Sequence, residues 1–406
     1  MINVDSTIHD PLLGAREAAR LLGIKLATLY AYASRGLLES VPSGRGRSRL
    51  YPRSAVERLR ARRDARAGHG PVAAGALRWG EPVLDTAITA IGPGGPVYRG
   101  EPAVALAERG APFEGVAELL WGCGLVDSGP WADDRRALAL LGRVGRPPSV
   151  FDALAAVIPL AAWADSERVV ATPARELARA RSLIATSVSA VALALGRPRP
   201  PPGPVASRLA QAIGAPARAA RLVECALVLM ADHELNASSF AARVAASTGA
   251  DLYACVAAAV AALSGPRHGG EAARVQAAIA EARTPRGASG LVAGRVGRQE
   301  ELPGFGHPLY PDGDPRAALL LGRARVLGAS RLAVVDAFVG AAERLRGVRP
   351  NVDVGLVAAA RAASADPQAP AALFAIGRLA GWIAHAWEQR AAGHLLRPRA
   401  RYVGAP

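Results

Sequence analysis

Lysine is all but missing from this chain: Lys25 is the only one, and every other of the 49 basic residues is arginine. That argues against lysine Schiff-base catalysis in the body of the chain, attachment of pyridoxal phosphate included. Aromatic residues make up 5 % of the sequence and methionine only two positions, while half the residues are apolar. A large interior must therefore be built from Ala, Leu and Val. Runs of β-branched and aromatic residues, the signature of strands, are nearly absent, whereas Ala and Leu favour helix. The bulk reads as all-α. Cysteine is scarce too: Cys123, Cys225 and Cys255 are odd in number, lie in apolar surroundings and show no CxxC or zinc-ligand spacing. They are expected to be buried thiols of a reducing compartment. Apolar stretches such as Val188–Leu195 are too short to span a bilayer, and Met1–Asp5 lacks the basic start and apolar core of a secretory signal. A cytoplasmic protein with no membrane partner is expected.

At 406 residues, two or more domains are the natural prior. The formal charge of +15 is unevenly spread. Residues 1–70 carry 13 basic and 6 acidic side chains, against 36 and 28 in the remaining 336. The high charge density at the N-terminus points there for a polyanion partner. The same region has a readable pattern. Gly14–Leu22 places Ala15, Ala18, Ala19 and Leu22 on one helical face, and Gly23 permits a sharp turn. A second helix follows over Lys25–Ala33, carrying Thr28, Tyr30 and Tyr32. Val41–Tyr51 reads as a hairpin in which glycines separate Arg45, Arg47 and Arg49, and Ser54–Arg66 as a third helix. This order resembles the winged helix-turn-helix of MerR-type and excisionase-like DNA-binding domains. The resemblance implies a recognition helix for the major groove and hairpin arginines for phosphate or minor groove, with Lys25, Thr28, Tyr30, Arg45, Arg47 and Arg49 as candidate contacts. A helical module for protein contacts is the alternative.

Ala67–Gly75, rich in glycine, reads as linker. The boundaries expected are 1–66 for the N-terminal domain, 67–77 for the linker and 78–406 for the main domain. Within the latter, Val83–Gly100 contains Gly92-Pro93-Gly94-Gly95-Pro96, a hairpin tip between two short strands. Helical periodicity then runs from Pro102 to Gly196, breaks at Arg197–Gly203 and resumes to Ala282. Thr284–Pro303 is expected to be less regular, with helices again to Arg390.

Among seven histidines, His9 and His69 fall in flexible regions, and His385, beside Trp382 and Trp387, reads as a packed structural residue. His268 and His307 differ. They sit in Gly265-Pro266-Arg267-His268-Gly269-Gly270 and Gly304-Phe305-Gly306-His307, where glycine lets backbone approach a ligand closely. With Asp353 in Pro350-Asn351-Val352-Asp353 they make an acid/base set on loops between helices.

These segments occur in a definite order. Ala231-Asp232-His233-Glu234-Leu235-Asn236-Ala237-Ser238 comes first, then the two histidine loops, Asp314-Pro315-Arg316, Asn351–Asp353, Gly377-Arg378 with Gly381-Trp382, and Arg397-Pro398-Arg399. In order and spacing the series resembles the citrate synthase family over residues 78–404, and Tyr98–Pro102 and Val116–Gly122 resemble that family's earlier signatures. The resemblance implies a helical fold of large and small domains. It implies that an acyl-CoA, acetyl-CoA first, is condensed with oxaloacetate to give citrate and CoA, with no cofactor and no metal. Asp353 is implied as the base, His268 as donor to the thioester oxygen and His307 as the group polarising the ketone. His233, Arg316 and Arg378 are implied as substrate ligands, and Arg397 as a ligand given to the neighbouring subunit of a homodimer. Arginine forks suit the two carboxylates of oxaloacetate. A 2-methylcitrate synthase using propionyl-CoA is a close variant, and a transcriptional regulator using the synthase body as a metabolite sensor is the rival. Some positions depart from the family pattern: Arg267 stands for a common leucine, Glu271 for a small residue, Pro308-Leu309-Tyr310-Pro311 lacks basic residues, and Val354-Gly355-Leu356 replaces aromatic-Ser-Gly.

Overall fold

The computed structural model describes residues 12–35, 37–42, 49–53, 55–57, 59, 84–125, 129–398 and 402. It divides into two compact units, one within Met1–Asp85 and Arg397–Pro406, the other Thr86–Leu396.

In the first unit, Ala15–Leu22 and Leu26–Ser34 are helices, and Gly23 between them takes the left-handed conformation (φ 60°) that ends the first. Strands Leu12–Gly14 and Val41–Pro42 flank Arg49–Pro52 in an antiparallel sheet. Ala18, Ala19, Leu22, Leu29, Leu38, Tyr51 and Val56 close a small core of their own. Helix, glycine turn, helix and hairpin thus stand where the sequence puts them. The third expected helix and the hairpin tip with Arg45 and Arg47 lie largely or wholly outside the described residues. Lys25, Tyr30 and Arg49 are exposed and Thr28 is half-buried.

The second unit is almost entirely helical, as expected. Strands Thr89–Gly92 and Gly95–Tyr98 form the anticipated hairpin, with a short third strand, Glu101–Pro102. Helix Ala369–Ala392 runs through its centre and packs on Ala220–Met230, Ala237–Ser247, Leu252–Leu263 and Val352–Ala362. Its face toward Ala220–Met230 is small because it must be. A side chain at Gly377 would meet Met230 and the Leu227 carbonyl, and one at Gly381 would run into Asp232. An alanine-rich composition with few aromatics permits such close helix contacts.

Two expectations need correction. Pro285–Gly297 within the supposedly irregular stretch is a helix. Thr284 caps it by accepting from the Gly287 N–H, Pro285 occupies its first turn, and Ala288 and Val292 are buried, so capping and packing outweigh the glycine content. Cys225 and Cys255 are buried, but Cys123 is exposed in the turn after helix Phe113–Leu120. Helix Pro173–Ala194 is, among the described residues, the one long and apolar enough to cross a membrane. Most of it is buried inside the unit, and its Arg179 is paired with Asp165 and Glu176, as suits a core helix.

Candidate active site

Three asparagine and aspartate caps build the site. Asn236 starts helix Ala237–Ser247 by accepting from the N–H groups of Ser238 and Ser239. Asp314 starts Pro315–Gly328 by accepting from the Arg316 N–H. Asn351 starts Val352–Ala362 by accepting from the Asp353 N–H. Each satisfies donors that a helix start leaves open, to the extent of about 1 kcal/mol. The consequence is positional: Ser238, Arg316 and Asp353 are all held in first turns, where backbone geometry is fixed.

Asp353 is 8 % exposed, and its Oδ1 has no hydrogen-bond partner among the described residues. Burial, and then the neighbouring Glu271 carboxylate, push its pKa up to about 7, against the pull of Arg316. His268 is half-buried on its glycine loop, where its N–H is donated to the Gly265 carbonyl. Its Nε2 lies 2.8 Å from Ser238 Oγ, and its ring meets Phe374 edge-on at 5.9 Å. Burial and the nearby Arg378 lower it to about 4, so the ring is neutral near pH 7. Ser238 Oγ also receives the Trp382 Nε1–H at 3.0 Å and donates its own hydrogen to Asn236 Oδ1 at 2.7 Å.

His307 accepts the Leu309 N–H at its Nδ1, 3.2 Å away, which puts the hydrogen of the neutral ring on Nε2. Burial and Arg316 hold its basicity below the usual histidine range. Its ring lies 5.3 Å from that of His233 and 4.9 Å from that of Tyr310. His233 is buried, 2.8 Å from the Tyr310 hydroxyl through Nε2, and is driven well below its ordinary pKa by burial, Arg316 and Arg378. Arg316 is fully buried and paired at both Nε and Nη2 with Asp314, at 3.0 and 2.8 Å, and its guanidinium lies over the Tyr310 ring. Arg378, equally buried, donates Nε–H to the Met230 carbonyl and lies over Phe374, and burial lowers it to about 10.

Six of the residues singled out from sequence, His233, His268, His307, Arg316, Asp353 and Arg378, therefore share one neighbourhood. Arg397 is exposed on the segment grouped with the first unit. His385 is the packed residue expected: it is fully buried, its Nε2 3.4 Å from Asp232 Oδ1. Burial works to raise Asp232, but His385 and then Arg378 outweigh it and keep the carboxylate ionised. Among the described residues no cluster of His, Cys, Asp and Glu is placed to hold a metal ion. Sequence reasoning missed Tyr310, Ser238 and Asp314. A tyrosine is conspicuous in so aromatic-poor a chain, and Asp-Pro-Arg is a helix-start signature; Ser238 had no signal beyond its nearness to His233.

Helices capped onto one another gather neutral histidines, a buried carboxylate and two buried arginines into one helical site. The family profile described as citrate synthase, C-terminal domain, matches residues 76–399, so this chain belongs to the citrate synthase family. A helix-turn-helix profile matches residues 12–64. The chain is 44 % identical over 184 residues to putative citrate synthase 2 of Mycobacterium tuberculosis, covering 44 % of this chain and 49 % of that protein. It is 33 % identical over 192 residues to 2-methylcitrate synthase of Shewanella oneidensis, covering 45 % and 50 %. The chain thus spans about half the length of the curated relatives it matches. Among solved structures, citrate synthase from Pyrobaculum aerophilum superposes with a TM-score of 0.70 at 27 % identity, over 83 % of this chain and 94 % of that one.

Proposed function

We propose that residues 78–406 condense a short acyl-CoA, acetyl-CoA first, with oxaloacetate to give citrate and CoA. One observation carries the reading: a buried carboxylate with its pKa near 7, Asp353, stands among histidines held neutral. Such a carboxylate is a base matched to neutral pH. In the proposed sequence Asp353 takes a proton from the carbon next to the thioester carbonyl. His268 donates to the oxygen that becomes the enolate. The enolate carbon then attacks the ketone carbon of oxaloacetate, whose oxygen faces the His307 Nε2–H and is protonated as the bond forms. Water cleaves the resulting thioester, releasing CoA. Preorganised donors aimed at both developing oxyanions supply the stabilisation. Arg378, His233 and the Nη1 edge of Arg316 would meet the oxaloacetate carboxylates, and Arg397 would act across a homodimer. The thioester is itself activated, so the reaction needs neither cofactor nor metal.

Relatives named for citrate and for 2-methylcitrate leave the acyl group to experiment, because one methyl is worth only about 1–3 kcal/mol of discrimination. Thiol-trapping of CoA with oxaloacetate and acetyl-, propionyl- or butyryl-CoA is expected to show oxaloacetate-dependent release, fastest with the preferred acyl chain. No release with any of them would overturn the synthase reading.

The helix-turn-helix match and the exposed Lys25, Tyr30 and Arg49 favour a second role in DNA binding. The full chain is expected to bind duplex DNA with an affinity that falls steeply between about 50 and 200 mM salt, and a chain lacking residues 1–70 is not. Equal behaviour of the two chains at low salt would refute it.

A further inference from the structure

Glu271 begins helix Glu271–Ala282, directly after the Gly269-Gly270 pair that follows His268. Its Oε1 accepts the Gly304 N–H at 2.8 Å, three residues before His307. The Gly304 carbonyl accepts the Asn351 N–H at 2.8 Å, and Asn351 Oδ1 accepts the Asp353 N–H at 3.0 Å. Two further ties close the same seam: the Gly306 N–H reaches the Arg349 carbonyl, and Phe305 bridges Pro350. The seam is tight. Gly304 has φ +84°, and a Cβ there would collide with Val275, one turn beyond Glu271, and with Val354, next to Asp353. Residues four apart share a helix face, so the face bearing Glu271 and Val275 is the one turned toward Asp353.

We propose that Glu271 is the positioning residue of this site. Its carboxylate ties the loop of His307 to the helix behind His268, and through Gly304 and Asn351 to the turn that holds Asp353. It also sets a second negative charge beside the base. The role deepens the synthase reading and rests on it only for its effect on turnover. The charged groups acting on Asp353 are Glu271 from its own helix, and Arg316 and Asp314 from the start of Pro315–Gly328. Glu271 in turn pairs through Oε2 with the half-exposed Arg274, which also reaches Glu301. A charge placed so near the base makes Asp353 hold its proton more tightly, hence a better proton acceptor once ionised.

The test compares wild type with Glu271→Gln, which keeps an oxygen for the Gly304 N–H but no charge, and Glu271→Ala, which keeps neither. Two readouts are independent of turnover. The Asp353 carboxyl titration is followed by NMR on carbon-13-labelled protein, assigned with Asp353→Asn. The Gly304 amide is followed by hydrogen exchange. Glu271→Gln is expected to lower the Asp353 midpoint by roughly one unit, with Gly304 still protected. Glu271→Ala is expected to lower the midpoint similarly and to speed Gly304 exchange at least about tenfold. In wild type and Glu271→Gln, the acidic limb of kcat/KM for CoA release should move with the midpoint, a shift that a merely structural glutamate would not produce. An unchanged midpoint in both variants, or unchanged exchange in Glu271→Ala, overturns the proposal. A midpoint and exchange that move in a protein releasing no CoA would uphold the placement of Glu271 and sink the synthase reading instead.

Discussion

Asp353→Asn is expected to lower oxaloacetate-dependent CoA release by on the order of 10³-fold, because it removes the only group proposed to take the proton. The substitution is nearly isosteric and leaves the Asn351 cap in place, so loss of fold is not the expected cause. Stability should move the other way. Asp353 has its pKa raised from 3.8 to about 7 in the folded protein. A raised carboxyl pKa means the folded state holds the proton more tightly than the unfolded chain. Its contribution is complete below the unfolded value and is lost as pH climbs through about 7. Above that, burial of the ionised group opposes folding by at most about 4 kcal/mol, a strain that asparagine relieves. The expected result at pH 8 is an inactive protein with a higher melting temperature than wild type, the gap closing toward pH 4. For wild type, kcat/KM should rise with pH through about 7, while His268, at about 4, stays neutral throughout that range. A variant that kept its rate, or that melted earlier at pH 8, would contradict the assignment of Asp353 as a base held in a dry site.

Much of this was legible because it is local. Gly23, the Gly92–Gly95 hairpin tip and the proline-rich break after Gly196 are chain-direction signals that act within a few residues. His268 and His307 announced themselves by their glycines, and Arg316 and Arg378 by position in a resembling series of blocks. What could not be read is what depends on distant partners. The helix Pro285–Gly297 looks irregular until its packing on Ala333–Arg346 is known. Tyr310 belongs to the site only because His233, 77 residues earlier, reaches its hydroxyl. Glu271 looked like a departure from a pattern and nothing more. Its meaning lies in a hydrogen bond to Gly304, 33 residues on, and in the field it casts on Asp353.

The largest stability loss is expected from Arg316→Leu. Arg316 is 2 % exposed, and Asp314 beneath it is buried; they meet through two parallel hydrogen bonds. Asp314 has two more duties, accepting the N–H of Arg316 at the start of one helix and that of Val352 at the start of the helix bearing Asp353. Removing the arginine leaves a buried carboxylate without its counter-charge, which typically costs about 3–5 kcal/mol. Urea denaturation should register that loss as a lower midpoint with an unchanged slope. Arg316→Leu combined with Asp314→Asn removes both charges and keeps one oxygen, enough to accept the N–H of one of the two helix starts. It should recover a large part of the loss, giving a double-mutant coupling of roughly 2 kcal/mol. Arg316→Lys should behave more like leucine than like wild type for substrate, since an ammonium cannot hold Asp314 along one edge and offer a second edge to an oxaloacetate carboxylate. Additive losses in the double variant would mean that Asp314 is held by its two backbone N–H donors alone, leaving the whole arginine fork to the substrate. In that case calorimetric titration of oxaloacetate, not denaturation, is where Arg316→Leu would show its main effect.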